Sequence, residues 1–169
     1  MKRNAGFTLV ELLITMTIMT ILLVLVVVSL RSNEANARDE ERKTDVTILA
    51  QQLENYYEAA VDSGDAGTYP STIAVDTESE VKGLLPDLDP KALRAPDVAD
   101  SSAMSFTVAT SSSSTQSPTI SSYIYQPLRS DGSLCNTNDE GAASECRKFV
   151  LYYTLENVAG TQTVKSKHQ

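Results

Sequence analysis

Residues 7–30 read FTLVELLITMTIMTILLVLVVVSL. Glu11 is the one charged residue in these 24, and from Leu12 to Leu30 there is no charge, proline or glycine. At about 1.5 Å per residue, some 20 helical residues cross a hydrocarbon core of roughly 30 Å. The stretch therefore reads as a membrane-spanning helix. Lys2 and Arg3 precede it, and the positive-inside rule puts the N-terminus in the cytoplasm and everything after Leu30 outside it. The alternative is a secretory signal peptide, whose apolar core is about 7–15 residues long and ends at small residues. Here the run is longer, and Ser29-Leu30-Arg31-Ser32 is a poor cleavage site of that kind. A carboxylate at the centre of a spanning helix costs roughly 2.5–3.5 kcal/mol, and less near its end, where Glu11 lies.

The neighbours of Glu11 give it a context. Lys2 and Arg3, then Gly6, Phe7, Thr8, Leu9, Val10, Glu11, Leu12 and Leu13 read K-R-x-x-G followed by F-T-L-V-E-L-L. This resembles the class III signal of type IV pilins and pseudopilins. The resemblance implies cleavage by a prepilin peptidase between Gly6 and Phe7, N-methylation of Phe7, and a filament-assembly role for Glu11, the fifth residue of the mature chain. A glycine beside the scissile bond lets the backbone lie extended in the protease without a side-chain clash. In a stack of subunits Glu11 would face the Phe7 amine of a neighbour. An unpaired charge there would cost several kcal/mol, so the pair would set the axial register as a buried polar residue does in a coiled coil. Many adhesive, retractile pilins break this helix midway with Pro or Gly. This segment has neither, which leans toward the pseudopilin end of the family.

Outward from the membrane, Arg31 to Lys43 contains no helix breaker, and Arg38 to Lys43 is a mixed-charge run. It reads as a solvated helix face with weak ion pairs, or else as contacts between subunits. Val46, Leu49, Leu53, Tyr56/Tyr57 and Ala60 then recur at spacings of three and four, an amphipathic stripe that needs a cover. Gly64 suits a helix C-cap. One helix from about Phe7 to Ser63 is expected, and Tyr69-Pro70 after it again resembles the pilin pattern. Asp76 to Leu85 reads as a short helix, and Asp89-Pro90 predicts another over Pro90 to Arg94. Ser101 to Ser122 holds 14 Ser or Thr in 22 residues. That composition cannot build a core and reads as a loose surface loop, with O-glycosylation as the functional alternative. Within it Phe106 to Val108 is a candidate strand. Tyr123 to Tyr125, Arg147 to Glu156 and Thr161 to Lys165 are the clearer strands. Phe149, Leu151, Tyr153 and Leu155 share one face, and Asn157 to Gly160 forms a turn. The tail Lys165 to Gln169 is expected to be disordered.

Composition excludes much else. Of 169 residues, 14 are Lys or Arg against 22 Asp or Glu, a net charge of −8. Such a chain does not bind nucleic acid by bulk electrostatics. The only histidine is His168 and there are two cysteines, so catalytic triads and His- or Cys₄-ligated zinc are ruled out. No enzyme, metal or cofactor is expected. Outside the cytoplasm Cys135 and Cys146 read as a disulfide, with two free thiols as the alternative. A C-terminal disulfide loop is also common among type IV pilins. Asp131, Asn136, Asn138, Asp139 and Glu140 are oxygen-rich, as calcium ligands are, but their spacing fits no EF-hand and a solvated acidic loop is the simpler reading.

The expected molecule is α+β and pilin-like. Residues 1–6 form a leader, 7–30 a transmembrane and filament-core helix, and 31–63 its amphipathic continuation. Residues 64–122 are loops with short helices, and 123–169 a small antiparallel sheet with a disulfide loop and a disordered tail. The expected function is that of a structural pilin subunit of a type IV pilus-like surface filament, serving adhesion, motility or DNA uptake. The resemblance implies other pilin subunits, a prepilin peptidase and a membrane assembly platform as partners. It also implies residence in the cytoplasmic membrane before assembly and on the cell surface after. The alternatives are a pseudopilin of a type II secretion or competence system and a monomeric membrane-anchored binding protein.

Overall fold

The computed structural model describes residues 7–62, 67–99, 103–136 and 146–168. Helix α1 spans Leu9–Asp62 without interruption, as a sequence free of Pro and Gly allows. The chain divides into two compact units, Met1–Ala37 and Arg38–Gln169. In the first unit no residue of Leu9–Val27 is buried; this stretch has a mean hydropathy of 2.6 and is long and apolar enough to cross a membrane.

The second unit has one core. The helical stripe supplies Val46, Leu49 and Leu53, each fully buried, because residues three and four apart share a helix face. Against them lie Phe149 and Leu151 from one strand and Tyr123 and Tyr125 from another. The chain after α1 forms a 3₁₀ turn at Ile73–Val75, helix α2 at Glu78–Leu84 and a second 3₁₀ turn at Pro90–Leu93. α2 starts at a reciprocal capping box: Thr77 accepts from the Glu80 amide at 3.3 Å while the Glu80 carboxylate accepts from the Thr77 amide at 2.9 Å. Asp89 caps the second turn by accepting from the Lys91 amide at 2.9 Å, with Pro90 at its first position.

Four strands follow: β1 (Phe106–Val108), β2 (Tyr123–Arg129), β3 (Cys146–Thr154) and β4 (Thr161–Lys165), in the order β1-β2-β3-β4. β2–β3 and β3–β4 are antiparallel, but β1 pairs with β2 in parallel, Phe106 opposite Tyr123. The sheet is therefore mixed, which corrects the expected antiparallel sheet of about three strands. The reason is the connection. A parallel pair needs a crossover of about a dozen residues, and residues 109–122 supply it. β1 ends at Val108, opposite Tyr125, and beyond it the segment after β2 folds back: Leu134 bridges Leu128, and the Pro127 carbonyl accepts from the Cys135 amide at 3.0 Å.

That crossover is not the loose loop its composition suggests. Gln126, 1% exposed on β2, donates from Nε2 to the Ser111 and Ser113 carbonyls at 2.8 Å each. Tyr152 Oη donates to Gln126 Oε1 at 2.9 Å and contacts the Ser114 carbonyl at 3.3 Å. Thr154 Oγ1 donates to the Pro118 carbonyl at 2.9 Å. Side chains from the outer sheet face thus hold the Ser/Thr-rich strap by its carbonyls.

The tail is likewise corrected. Ser166 is buried and exchanges hydrogen bonds with Phe149, and the Lys167 amide donates to Glu54 Oε1 at 2.8 Å. His168 stacks on Tyr57 with ring centroids 4.3 Å apart. The sequence 165–168 has too little apolar character to announce this docking. Two of its partners, Glu54 and Tyr57, lie more than a hundred residues earlier. Gly64, Gln169 and the acidic positions Asn138, Asp139 and Glu140 lie outside the described residues.

Candidate functional site

At the start of α1 the backbone amides have no carbonyl four residues earlier to bond. Thr8 and Glu11 meet this need reciprocally. The Glu11 amide donates to Thr8 Oγ1 at 3.2 Å, while Glu11 Oε2 accepts from the Thr8 amide at 3.0 Å and from its hydroxyl at 2.8 Å. This is the T-x-x-E capping box, here at the head of an apolar helix. Both Thr8 donors use one carboxylate oxygen. Among the described residues, Glu11 Oε1 accepts no hydrogen bond. Phe7 is 86% exposed just ahead of the box, and Gly6 lies outside the described residues. The sequence reading missed Thr8 as a cap, although a Thr three residues before a Glu at the head of an apolar run is a legible signal.

The second cluster corrects the reading of Arg38–Lys43 as a solvated face. Arg42 is 1% exposed. Its Nη1 lies 3.0 Å from Asp39 Oδ1 and 2.9 Å from Glu156 Oε1, and its Nε donates to the Ile120 carbonyl at 3.0 Å. Arg38 forks onto Glu156 at 2.7 and 2.6 Å and reaches Asp97 Oδ2 at 3.1 Å. Asp97 has φ +67°, a left-handed conformation that Asp tolerates better than most residues. Asp39 accepts from the Glu156 and Asn157 amides at 2.8 and 3.0 Å, which closes the β3–β4 turn onto the helix. The Arg38 and Arg42 guanidiniums outweigh burial and hold the Glu156 carboxyl down at about 2. Burial pushes Asp39 up, but its amide and Arg42 bonds prevail and leave it below the usual range. One turn on, burial raises Asp45 to about 6, against the hydrogen bond it accepts from Tyr123 Oη at 2.8 Å. Only the i, i+3 spacing of Asp39 and Arg42 was visible in the sequence. Their partners at 120 and 156 were not.

Cys135 and Cys146 are disulfide-bonded and buried, with Cα atoms 5.7 Å apart. Their flanks anchor the segment after α1: the Tyr69 amide donates to the Cys146 carbonyl at 2.9 Å and the Thr72 amide to the Cys135 carbonyl at 3.0 Å. Of the sequence-predicted residues, the helix start belongs to one unit and the disulfide to the other. Among the described residues no group of three His, Cys, Asp or Glu could hold a metal ion.

No curated protein and no solved structure matches the chain. One family model does, described as the prokaryotic N-terminal methylation motif, over residues 1–27. Phe7, the Thr8–Glu11 box and the exposed apolar helix to Val27 all fall within that match. The chain thus carries the class III signal of type IV pilins and pseudopilins, a family that is structural rather than catalytic, ahead of an α+β domain.

Proposed function

We propose that this chain is a type IV pilin-like subunit, cut between Gly6 and Phe7, methylated on the Phe7 amine, held in the cytoplasmic membrane by α1 and then drawn into a surface filament. The observation that carries this reading is the division of labour on Glu11. Oε2 is spent on the subunit's own helix cap, and Oε1 is left with an acceptor site. An acidic residue needed only as a cap would serve as well at an aqueous helix end. One at the head of a helix apolar on every side has a reason to be charged when a cation comes to it, here the Phe7 amine of the next subunit. In the membrane the cap lowers the cost of carrying the carboxylate. In the filament the apolar helices bury one another, and the pair fixes their stagger.

Processing leaves 12 basic against 22 acidic side chains, because Lys2 and Arg3 depart. Mass spectrometry of the chain from its native membrane is expected to find an N-terminal peptide beginning at N-methylated Phe7. An intact Met1, or a terminus near Ser32, would overturn the reading. The unbroken helix Leu9–Asp62 favours a second reading, a secretion-type pseudopilin. Loss of exoprotein secretion on deletion, without surface filaments in the wild type, would select it.

A further inference from the structure

We infer that the basic end of the sheet is a docking surface for the acidic Asp76–Asp89 segment of a second copy of this chain; the inference rests on the subunit reading above. The argument begins with how cations are distributed in the second unit. Arg38, Arg42, Lys43, Lys82, Lys91 and Arg94 each have a carboxylate partner within 3.1 Å. Arg147, Lys148, Lys165 and Lys167 have no ion pair among the described residues. Arg147 is held in place by donating from Nη1 to the Gly67 carbonyl at 2.9 Å.

These four are neighbours. Arg147 and Lys148 open β3, Lys165 ends β4 opposite Val150, and Lys167 follows it. Lys148 joins two hollows. One, of about 360 Å³, is lined by Arg147, Lys148, Ser130 and the stacked Tyr57–His168 pair, and the other, of about 230 Å³, by Lys148, Lys165 and Ser166 among others. In a chain of net charge −8, four neighbouring cations with no ion pair among the described residues suit an external anion.

The anion is of the chain's own making. Asp76 to Asp89 carries five carboxylates and one cation, Lys82. Asp76 and Asp87 are exposed and, among the described residues, have no cation partner. A polyanion such as nucleic acid would be repelled by the remaining surface of so acidic a protein. A second copy is repelled too, except where its acidic segment meets the basic end, so charge selects that orientation. Asp87 lines a hollow with Tyr56, whereas the basic hollow holds Tyr57, and consecutive helical residues point about 100° apart. The two surfaces therefore lie on different sides of the helix. A contact between unlike surfaces is heterologous and propagates rather than closing as a pair.

The test uses the full chain in its native envelope, treated with a carbodiimide that joins a lysine amine directly to a touching carboxylate. The expected products are bands at multiples of the subunit mass, whose cross-linked peptides join Lys148, Lys165 or Lys167 to Asp76 or Asp87. Lys148→Glu/Lys165→Glu is expected to cut them about tenfold, and Asp76→Lys/Asp87→Lys likewise. The quadruple variant, its charges exchanged, is expected to restore them. Circular dichroism checks that each variant folds. Wild-type yield from the doubly reversed chain, no gain in the quadruple variant, or retention of the chain by DNA or anionic vesicles through these lysines would overturn the docking. The pool still in the membrane cross-links as well, so the docking is tested even where no filament forms. Absence of any filament together with an unmethylated N-terminus would instead overturn the subunit reading.

Discussion

Glu11 caps its own helix, and the proposed function gives it a second task, which mutation can separate from the first. Glutamine retains an oxygen that can accept from Thr8 but carries no charge, and the capping box admits Gln in place of Glu. Glu11→Gln is therefore expected to leave the subunit processed and in the membrane while reducing sheared surface filament at least about tenfold, since an amine in an apolar surround loses its counter-charge. Thr8→Ala is expected to do the reverse, costing about 1 kcal/mol of helix stability and sparing assembly. Equal filament yields from Glu11→Gln and wild type would leave Glu11 as a cap alone. Two carboxylates in the domain pull in opposite directions with pH. Glu156 is held at about 2 against an ordinary 4.5, so its stabilisation is complete above pH 4.5 and disappears as pH falls toward 2. Asp45, raised from 3.8 to about 6, favours the fold below pH 3.8 and loses that advantage as pH rises through 6. Asp45→Asn keeps an acceptor for Tyr123 and cannot ionise. It is expected to raise stability at pH 7 by about 3 kcal/mol and to leave it unchanged near pH 3.5. Thermal melts at the two pH values measure both effects.

Among the elements, those with a period of their own were legible from the sequence. The stripe Val46, Leu49, Leu53 and the alternation Phe149, Leu151, Tyr153, Leu155 were legible because burial repeats with the backbone; all are buried except Tyr153, which is half-buried. Elements held by distant partners were not legible. Nothing in a run of Ser and Thr says that Gln126 and Tyr152 will grip its carbonyls. Nor does R-D-E-E-R-K say that Arg42 will be buried under a strand turn more than a hundred residues away. The capping box at Thr8 was legible and overlooked, since Glu11 already had one explanation. The disulfide belongs to this scale too. It ties the head of β3 to the segment after β2, and through the Cys135 and Cys146 carbonyls to the chain leaving α1. Cys135→Ser is expected to cost roughly 2–4 kcal/mol in denaturant unfolding. The cost should appear first as faster proteolysis near Thr68 to Thr72, whose amide bonds the pair positions. A variant as stable as wild type would show that those bonds suffice alone.

For the molecule as a whole, the sequence distances within the charged cluster matter more than its strength. Arg42 closes onto Glu156 across 114 residues, and Asp45 meets Tyr123 across 78. The chain is synthesised in order, so α1 exists long before the strands that cover its second half. Until residue 156 emerges, Arg38, Asp39 and Arg42 remain hydrated, and the apolar stripe below them is uncovered. Non-local closure of this kind is slow, on the order of milliseconds to seconds. A chain interrupted before β3 turns back at Glu156 has every helical residue and no closed domain. Synthesis of the final strands thus works as a completeness check: a chain cut short keeps its long apolar helix but never acquires the closed surface of the second unit.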